Sequence, residues 1–154
     1  MDSFVITEVQ ESRYDRHHLI DWWEQNTLKG SKVLVAGAGA LGNEVLKNLA
    51  LLGVGNITVI DFDTVSVTNL TRSVLFRESD IGLPKVEVAR QRVLEINPEI
   101  QIQAIHSDLE FGLGIGDVRA HDVIIGCLDS VNARYCINQL AYRAGMKLTK
   151  FIKE

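Results

Sequence analysis

The chain lacks the features that would commit it to several large classes of protein. Its 154 residues include two cysteines, Cys127 and Cys136, which form no CxxC pair, so neither a disulfide framework nor a zinc site is signalled. Both are read as reduced core thiols. No apolar run approaches the roughly 20 residues that a membrane span requires. Residues 1–26 have neither a basic start nor a small-residue cleavage site. An excess of one charge is missing too: 16 Lys and Arg stand against 20 Asp and Glu, a net charge of −4, which argues against a surface dedicated to nucleic acid or anionic membrane. A cytoplasmic setting is expected, with no membrane and no nucleic-acid partner. Repeats, low-complexity tracts and linkers are also absent, and the length suits one compact unit with its own core.

What is present is an alternation of apolar strands with helical patterns from residue 32 onward, the signature of a mostly parallel sheet. KVLVA at residues 32–36 is a continuous apolar run, as expected of a central strand covered on both faces. Leu41, Val45, Leu46, Leu49 and Leu52 then recur at helical spacing, and Gly53 supplies a left-handed stop. A strand at 56–61 follows. Residues 85–96 repeat the helical pattern through Val86, Ala89, Val93 and Ile96 until Asn97-Pro98 ends it. Residues 100–105 alternate with glutamines, predicting a half-exposed strand, and 122–127 (DVIIGC) predicts a buried one. Ser130 is placed to cap a helix carrying Ala133, Cys136, Ile137, Leu140, Ala141 and Ala144, with Gly145 as its stop. A last strand is expected at 146–152. The fold class is therefore α/β, a Rossmann-like, doubly wound, mostly parallel sheet preceded by an N-terminal helix. Residues 1–30 form an N-terminal helical segment and 31–154 the nucleotide-binding domain.

Gly37, Gly39 and Gly42 in GAGALG give the sharp strand-to-helix turn, and a helix starting at Ala40 aims free N–H groups and positive dipole charge at phosphate. Asp61 follows Gly42 by 19 positions, close to the ~20-residue spacing at which a carboxylate meets ribose hydroxyls. NAD, FAD and ATP all fit these features. Asn69, Arg72 and Lys85 then supply a polar and cationic set suited to a triphosphate, with the arginine fork holding two oxygens and the ammonium acting as a point charge. Solvated surface charge is the bland alternative for Arg72 and Lys85. Both follow the second strand, on the carboxyl edge where doubly wound folds bind ligands. Asp129 follows the strand at 123–127, where it can hold magnesium against phosphates or, more simply, cap the next helix.

This succession resembles the adenylation domain of the ubiquitin-activating enzyme family, which includes the bacterial sulfur-carrier adenylyltransferases. The similarity runs from RYDR at 13–16 through GAGALG, VIDFD, TNLTR, IGLPK ending at Lys85, INP at 96–98 and CLDS at 127–130. The resemblance implies ATP contacts from Gly37, Gly39, Ala40, Gly42, Asp61, Asp63, Thr68, Asn69, Leu70, Arg72, Lys85, Asp129 and Ser130, with Asp129 holding Mg2+. It implies a homodimer in which Arg13 completes the neighbour's phosphate clamp. It also implies a partner: a ubiquitin-like or sulfur-carrier protein whose flexible C-terminal carboxylate is adenylated, with release of pyrophosphate. Arg13, Arg72, Lys85 and Asp129 are the catalytic candidates.

In the N-terminal segment His17 and His18 are adjacent, and neighbouring helical residues point about 100° apart, so they do not converge as metal ligands would. Trp22 and Trp23 are expected to pack this segment on the domain or on a dimer mate. The departures from the family pattern are Ala40 and Ser73, where glycine and glutamine are common, His17 for Gln and Ser130 for Asn. The family's downstream tail groove, paired CxxC zinc ligands and thioester cysteine have no counterpart in these residues. The chain is thus expected to be either a fragment of a longer protein or a minimal adenylation module. An NAD-dependent oxidoreductase and a non-catalytic nucleotide-binding half-subunit are the alternative functions.

Overall fold

A computed structural model describes residues 11–146, and within them four strands form one all-parallel sheet in the order β3-β2-β1-β4. β1 (Lys32–Ala36) and β2 (Asn56–Ile60) lie at its centre, β3 (Gln101–Ile105) and β4 (Val123–Gly126) at its edges. Val35 is in register with Val59 on one side and Ile125 on the other. The doubly wound expectation holds, and the continuous apolar character of β1 has a simple cause. Side chains alternate across a strand, so Val33 and Val35 enter a core with Leu46, Ala50, Val86 and Val93, while Leu34 and Ala36 enter a second core with Leu113, Val118 and Ile137. Burying each Val, Leu or Ile side chain among these contributes about 2 kcal/mol, and each alanine methyl less.

The first core is closed by α2 (Ala40–Leu52) and α3 (Lys85–Ile96), the second by α4 (Leu109–Gly112), α5 (Ile115–Arg119) and α6 (Val131–Arg143). The expected terminators act as read. Gly53 is left-handed at φ 77°, Asn97 leaves the helical region, the Ser130 hydroxyl accepts from the Ala133 N–H, and Gly145 has φ 73° after α6. The chain winds outward through β1, β2 and β3, then crosses back past β1 to β4. The winding therefore reverses between β1 and β4, and the loops leaving their carboxyl ends part to opposite faces, which opens a crevice.

Three expectations are corrected. The strand at 122–127 is shorter and only partly buried, with Val123 42% exposed, because β4 is an edge of the described sheet and has β1 as its neighbour. The N-terminal segment is not one helix but a 3-10 turn, His17–Leu19, followed by α1 (Gln25–Gly30). The break lets the Trp23 indole N–H and the His17 ring converge on the Gln25 side-chain oxygen at 2.9 and 3.2 Å. Trp23 is accordingly half-buried, whereas Trp22 is 77% exposed and packs on nothing deep in the domain. Leu41, placed on the core face of α2 by its spacing, is exposed at the mouth of the crevice. Two short helices, α4 and α5, fill the β3–β4 connection that no periodicity had marked, since four or five residues cannot display a 3.6-residue repeat. The strand expected at 146–152 falls almost wholly outside the described residues.

Candidate nucleotide site

The crevice between β1 and β4 holds a cavity of about 650 Å³. Its floor is the glycine turn. Gly37 has φ 101°, and a Cβ there would meet the Cys127 carbonyl oxygen at 2.5 Å, so glycine is needed both for the turn and for the approach of the β4 loop. Gly42 lies one turn into α2, and any Cβ on it would overlap the Gly37 carbonyl oxygen. Gly42 does not line the cavity; it lets α2 seat against the turn. The α2 start at Ala40 directs the unpaired N–H groups of a 13-residue helix into the cavity, a ready site for an anion.

A fully buried asparagine fixes this turn. The Asn43 side-chain amide donates to the Ala38 and Gly39 carbonyls at 2.8 and 2.9 Å, and its oxygen accepts from the Leu75 N–H at 2.9 Å. Asn43 thereby ties the glycine turn to the segment that follows Arg72. No motif reading marked it, because one Asn within a helix looks like any solvated polar residue.

The two acids after β2 take different positions. Asp61 uses one carboxylate oxygen to accept the Ala38 N–H at 2.7 Å and the other to accept the Asp63 N–H at 2.8 Å. Each oxygen keeps a lone pair free, so the carboxylate is held rigid at the cavity edge with acceptor capacity left for hydroxyls. Asp63 faces Lys85, with the ammonium 2.6 Å from its carboxylate. Lys85 is buried at 8% exposure, which removes the reading of a solvated surface charge. Arg72 is exposed, donates to the Thr68 carbonyl at 2.7 Å, and lines the cavity beside Asn69. The Asn69 side-chain oxygen accepts the Ser66 N–H and so closes its 3-10 turn. Thr68 and Leu70 are not brought to the cavity wall; Thr68 shapes the loop through its carbonyl.

Asp129 and Ser130 line the opposite wall. Ser130, not Asp129, caps α6, so the capping explanation for Asp129 fails. Among the described residues the Asp129 carboxylate has no hydrogen-bond or ion-pair partner, and its loop is held by the Arg134 guanidinium, which donates to the Leu128 carbonyl at 2.7 Å. A hard, unengaged carboxylate on the cavity wall suits Mg2+, which takes one or two protein carboxylates and completes its shell with phosphate oxygens and water. Cys127 and Cys136 also touch the cavity. Burial pushes the Cys127 thiol up to about 11, and burial followed by the Glu110 and Asp108 carboxylates raises Cys136, so both stay protonated near neutrality and are poor nucleophiles.

The sequence reading missed the wall built from Ser107 to Glu110, immediately after β3. The rule that ligands gather at strand carboxyl ends was the signal that could have marked it. Arg13 lies elsewhere: its guanidinium donates to the Ile96 carbonyl at 3.0 Å, at the end of α3, and it does not line the cavity of its own chain.

A glycine turn at the switch point, an acid after the second strand and two cations, Arg72 and Lys85, on the same cavity wall are the features of a nucleotide-binding α/β protein of the doubly wound class. Comparison narrows the class. The sequence matches the ThiF family over residues 14–150, and the chain belongs to that family. It is 36% identical over 146 residues to the molybdopterin-synthase adenylyltransferase of Salmonella typhimurium, covering 93% of this chain and 59% of the relative. It is 39% identical over 129 residues to SUMO-activating enzyme subunit 2 of Dictyostelium discoideum, covering 80% of this chain and 19% of that one. Among solved structures, E. coli MccB with ATP superposes with a TM-score of 0.75 at 32% identity, covering 89% of this chain and 44% of the other. The chain thus spans about three fifths or less of the relatives it matches here.

Proposed function

We infer that the chain is the nucleotide-handling part of an ATP-dependent adenylyltransferase acting on the C-terminal carboxylate of a ubiquitin-like or sulfur-carrier protein. The observation that carries this reading is the meeting of Lys85, Arg72 and Asp129 with the Gly37 turn in one cavity. Named relatives act in the same chemistry: the Salmonella protein is an adenylyltransferase and the Dictyostelium protein a SUMO-activating subunit.

The carrier carboxylate attacks the α-phosphorus, a new P–O bond forms, the α–β bridging bond breaks, and pyrophosphate leaves. The nucleophile is already an anion, so the site needs no general base. It needs charge neutralisation and in-line placement. The α2 N-terminus and Lys85 can take phosphate oxygens from the floor and Arg72 from the rim, while Asp61 orients the ribose. The cavity wall carries five carboxylates (Asp61, Asp63, Asp108, Glu110, Asp129) against three cations (Arg72, Lys85, Arg134). A bare ATP polyanion would meet net repulsion there, which supports Mg2+ as a cofactor held by Asp129. When bound, the metal would supply positive charge to the phosphates.

Arg13 is exposed and outside its own cavity, which supports a homodimer in which it serves the neighbouring site. Residues 1–30 then act as the exchange arm and 31–154 as the ATP-binding unit, in a cytoplasmic enzyme. Among the described residues no helix is long and apolar enough to cross a membrane.

ATP–pyrophosphate exchange with candidate carrier proteins tests the reading. Lys85→Ala and Asp129→Ala should each lower exchange by about a hundredfold or more with the circular dichroism spectrum retained. Exchange unchanged in both variants refutes the assignment, and tighter binding of NAD than of ATP would redirect it to hydride transfer.

A further inference from the structure

The Lys85 ammonium is almost enclosed, with its side chain 10% exposed, and its hydrogen-bond partner among the described residues is the Asp63 carboxylate, whose side chain is 48% exposed. An ammonium has three protons to donate, and this one uses a single proton on a carboxylate that is itself open to the cavity. The pair is also clamped through the backbone. The Lys85 N–H donates to the Asp63 carbonyl at 3.0 Å, Thr64 and Pro84 form an antiparallel bridge beside it, and the Asp63 N–H is fixed on Asp61. The backbone ties keep the two residues facing each other; of the two side chains, the enclosed Lys85 has little space around it, whereas Asp63, half open to the cavity, has room to move.

We propose that Asp63 is a phosphate place-holder: its carboxylate takes, on Lys85, the position that a nucleotide phosphate takes in the loaded site, so that nucleotide entry is an exchange of anions on a stationary ammonium. This rests on the adenylyltransferase reading and deepens it, because it makes Asp63 a residue that opposes phosphate rather than one that binds it. The carboxylate keeps a buried cation compensated while the site is empty, which a deep ammonium requires. It also sets a threshold. A ligand lacking phosphate cannot displace a charged, hydrogen-bonded partner, whereas a triphosphate brings a stronger anion to the same donor.

The test is calorimetric titration of the full chain with ATP and with adenosine, in EDTA and again in Mg2+, for wild type, Asp63→Asn and Asp63→Ala. Thermal unfolding checks that each variant is folded. Place-holding predicts that both variants bind ATP more tightly than wild type, by roughly three- to tenfold, in both buffers, with adenosine binding unmoved. If instead Asp63 only positions Lys85, Asp63→Ala weakens ATP binding and Asp63→Asn, which keeps an oxygen for the ammonium, restores it. If Asp63 is a metal ligand, the variants lose affinity in Mg2+ alone. Either result, or no change at all in ATP affinity, overturns the proposal while leaving adenylation intact. A wild-type chain that binds no ATP in either buffer overturns both.

Discussion

Asn43 offers a sharp test of how the glycine turn is held. Replacing it with alanine removes three hydrogen bonds made by a side chain with no solvent exposure. The Gly39 carbonyl keeps the Asn43 backbone N–H as its partner, so two groups are orphaned: the Ala38 carbonyl and the N–H of Leu75, itself 4% exposed. A buried polar group left without a partner costs about 1–3 kcal/mol, which puts the loss near 4 kcal/mol. At roughly 2–4 °C per kcal/mol for a domain of this size, the thermal midpoint should fall by about 8–16 °C in a calorimetric scan. Asn43→Asp should not rescue it. The carboxylate can still accept from Leu75, but it presents oxygen where the Ala38 and Gly39 carbonyls need a donor. ATP affinity should fall in both variants even below the transition, since the turn and the Arg72 segment lose their common tether. A midpoint within 2 °C of wild type for Asn43→Ala would show that the side chain does not carry this load.

Asp61→Ala should erase the preference for ATP over 2′,3′-dideoxy-ATP, a preference worth about tenfold or more if the carboxylate accepts ribose hydroxyls; an unchanged ratio by competitive titration would remove Asp61 from the ribose. Gly42→Ala should lower the unfolding midpoint by an amount corresponding to about 1–3 kcal/mol, because its methyl group would overlap the Gly37 carbonyl oxygen and push α2 off the turn. For Cys127, burial lifts the thiol from its ordinary 9.0 to about 11. Between these values the native state keeps a proton that the unfolded chain has lost, so stability falls as pH rises through the window. Wild type should lose roughly 1 kcal/mol more than Cys127→Ala between pH 8 and pH 10, as read by urea unfolding; parallel curves would refute it.

The elements that were legible in the sequence are those whose physics is local. β1 reads as a two-sided strand because both of its faces are buried, and α2 and α6 read as helices because their apolar residues recur at helical spacing and left-handed glycines follow them. The glycine turn, Asp61, Arg72, Lys85 and Asp129 were legible as chemistry because their order along the chain follows strand ends, and the topology brings those ends to one edge. Pairings between distant segments were not legible. Whether Lys85 is solvated or enclosed depends on Asp63 and on the Thr64–Pro84 bridge, and nothing about a lysine at a helix start announces either. Likewise the wall at 107–110 belongs to a connection whose helices are too short to show periodicity, and the edge position of β4 depends on sheet order rather than on its apolar composition.

Gly53 has a role that its place as a helix stop conceals. A Cβ there would press within 2.5 Å of the Tyr14 ring and 2.7 Å of the Gln25 amide, and Tyr14 in turn receives the Asn97 amide at 2.7 Å while Gln25 donates to the Leu52 carbonyl. The tyrosine is thus seated in the notch where a side chain is missing, one residue beyond Arg13. Any larger residue at this notch would displace Tyr14 and Gln25, so a helix terminator far along the chain governs how the described residues ahead of β1, Arg13 among them, are seated on the domain.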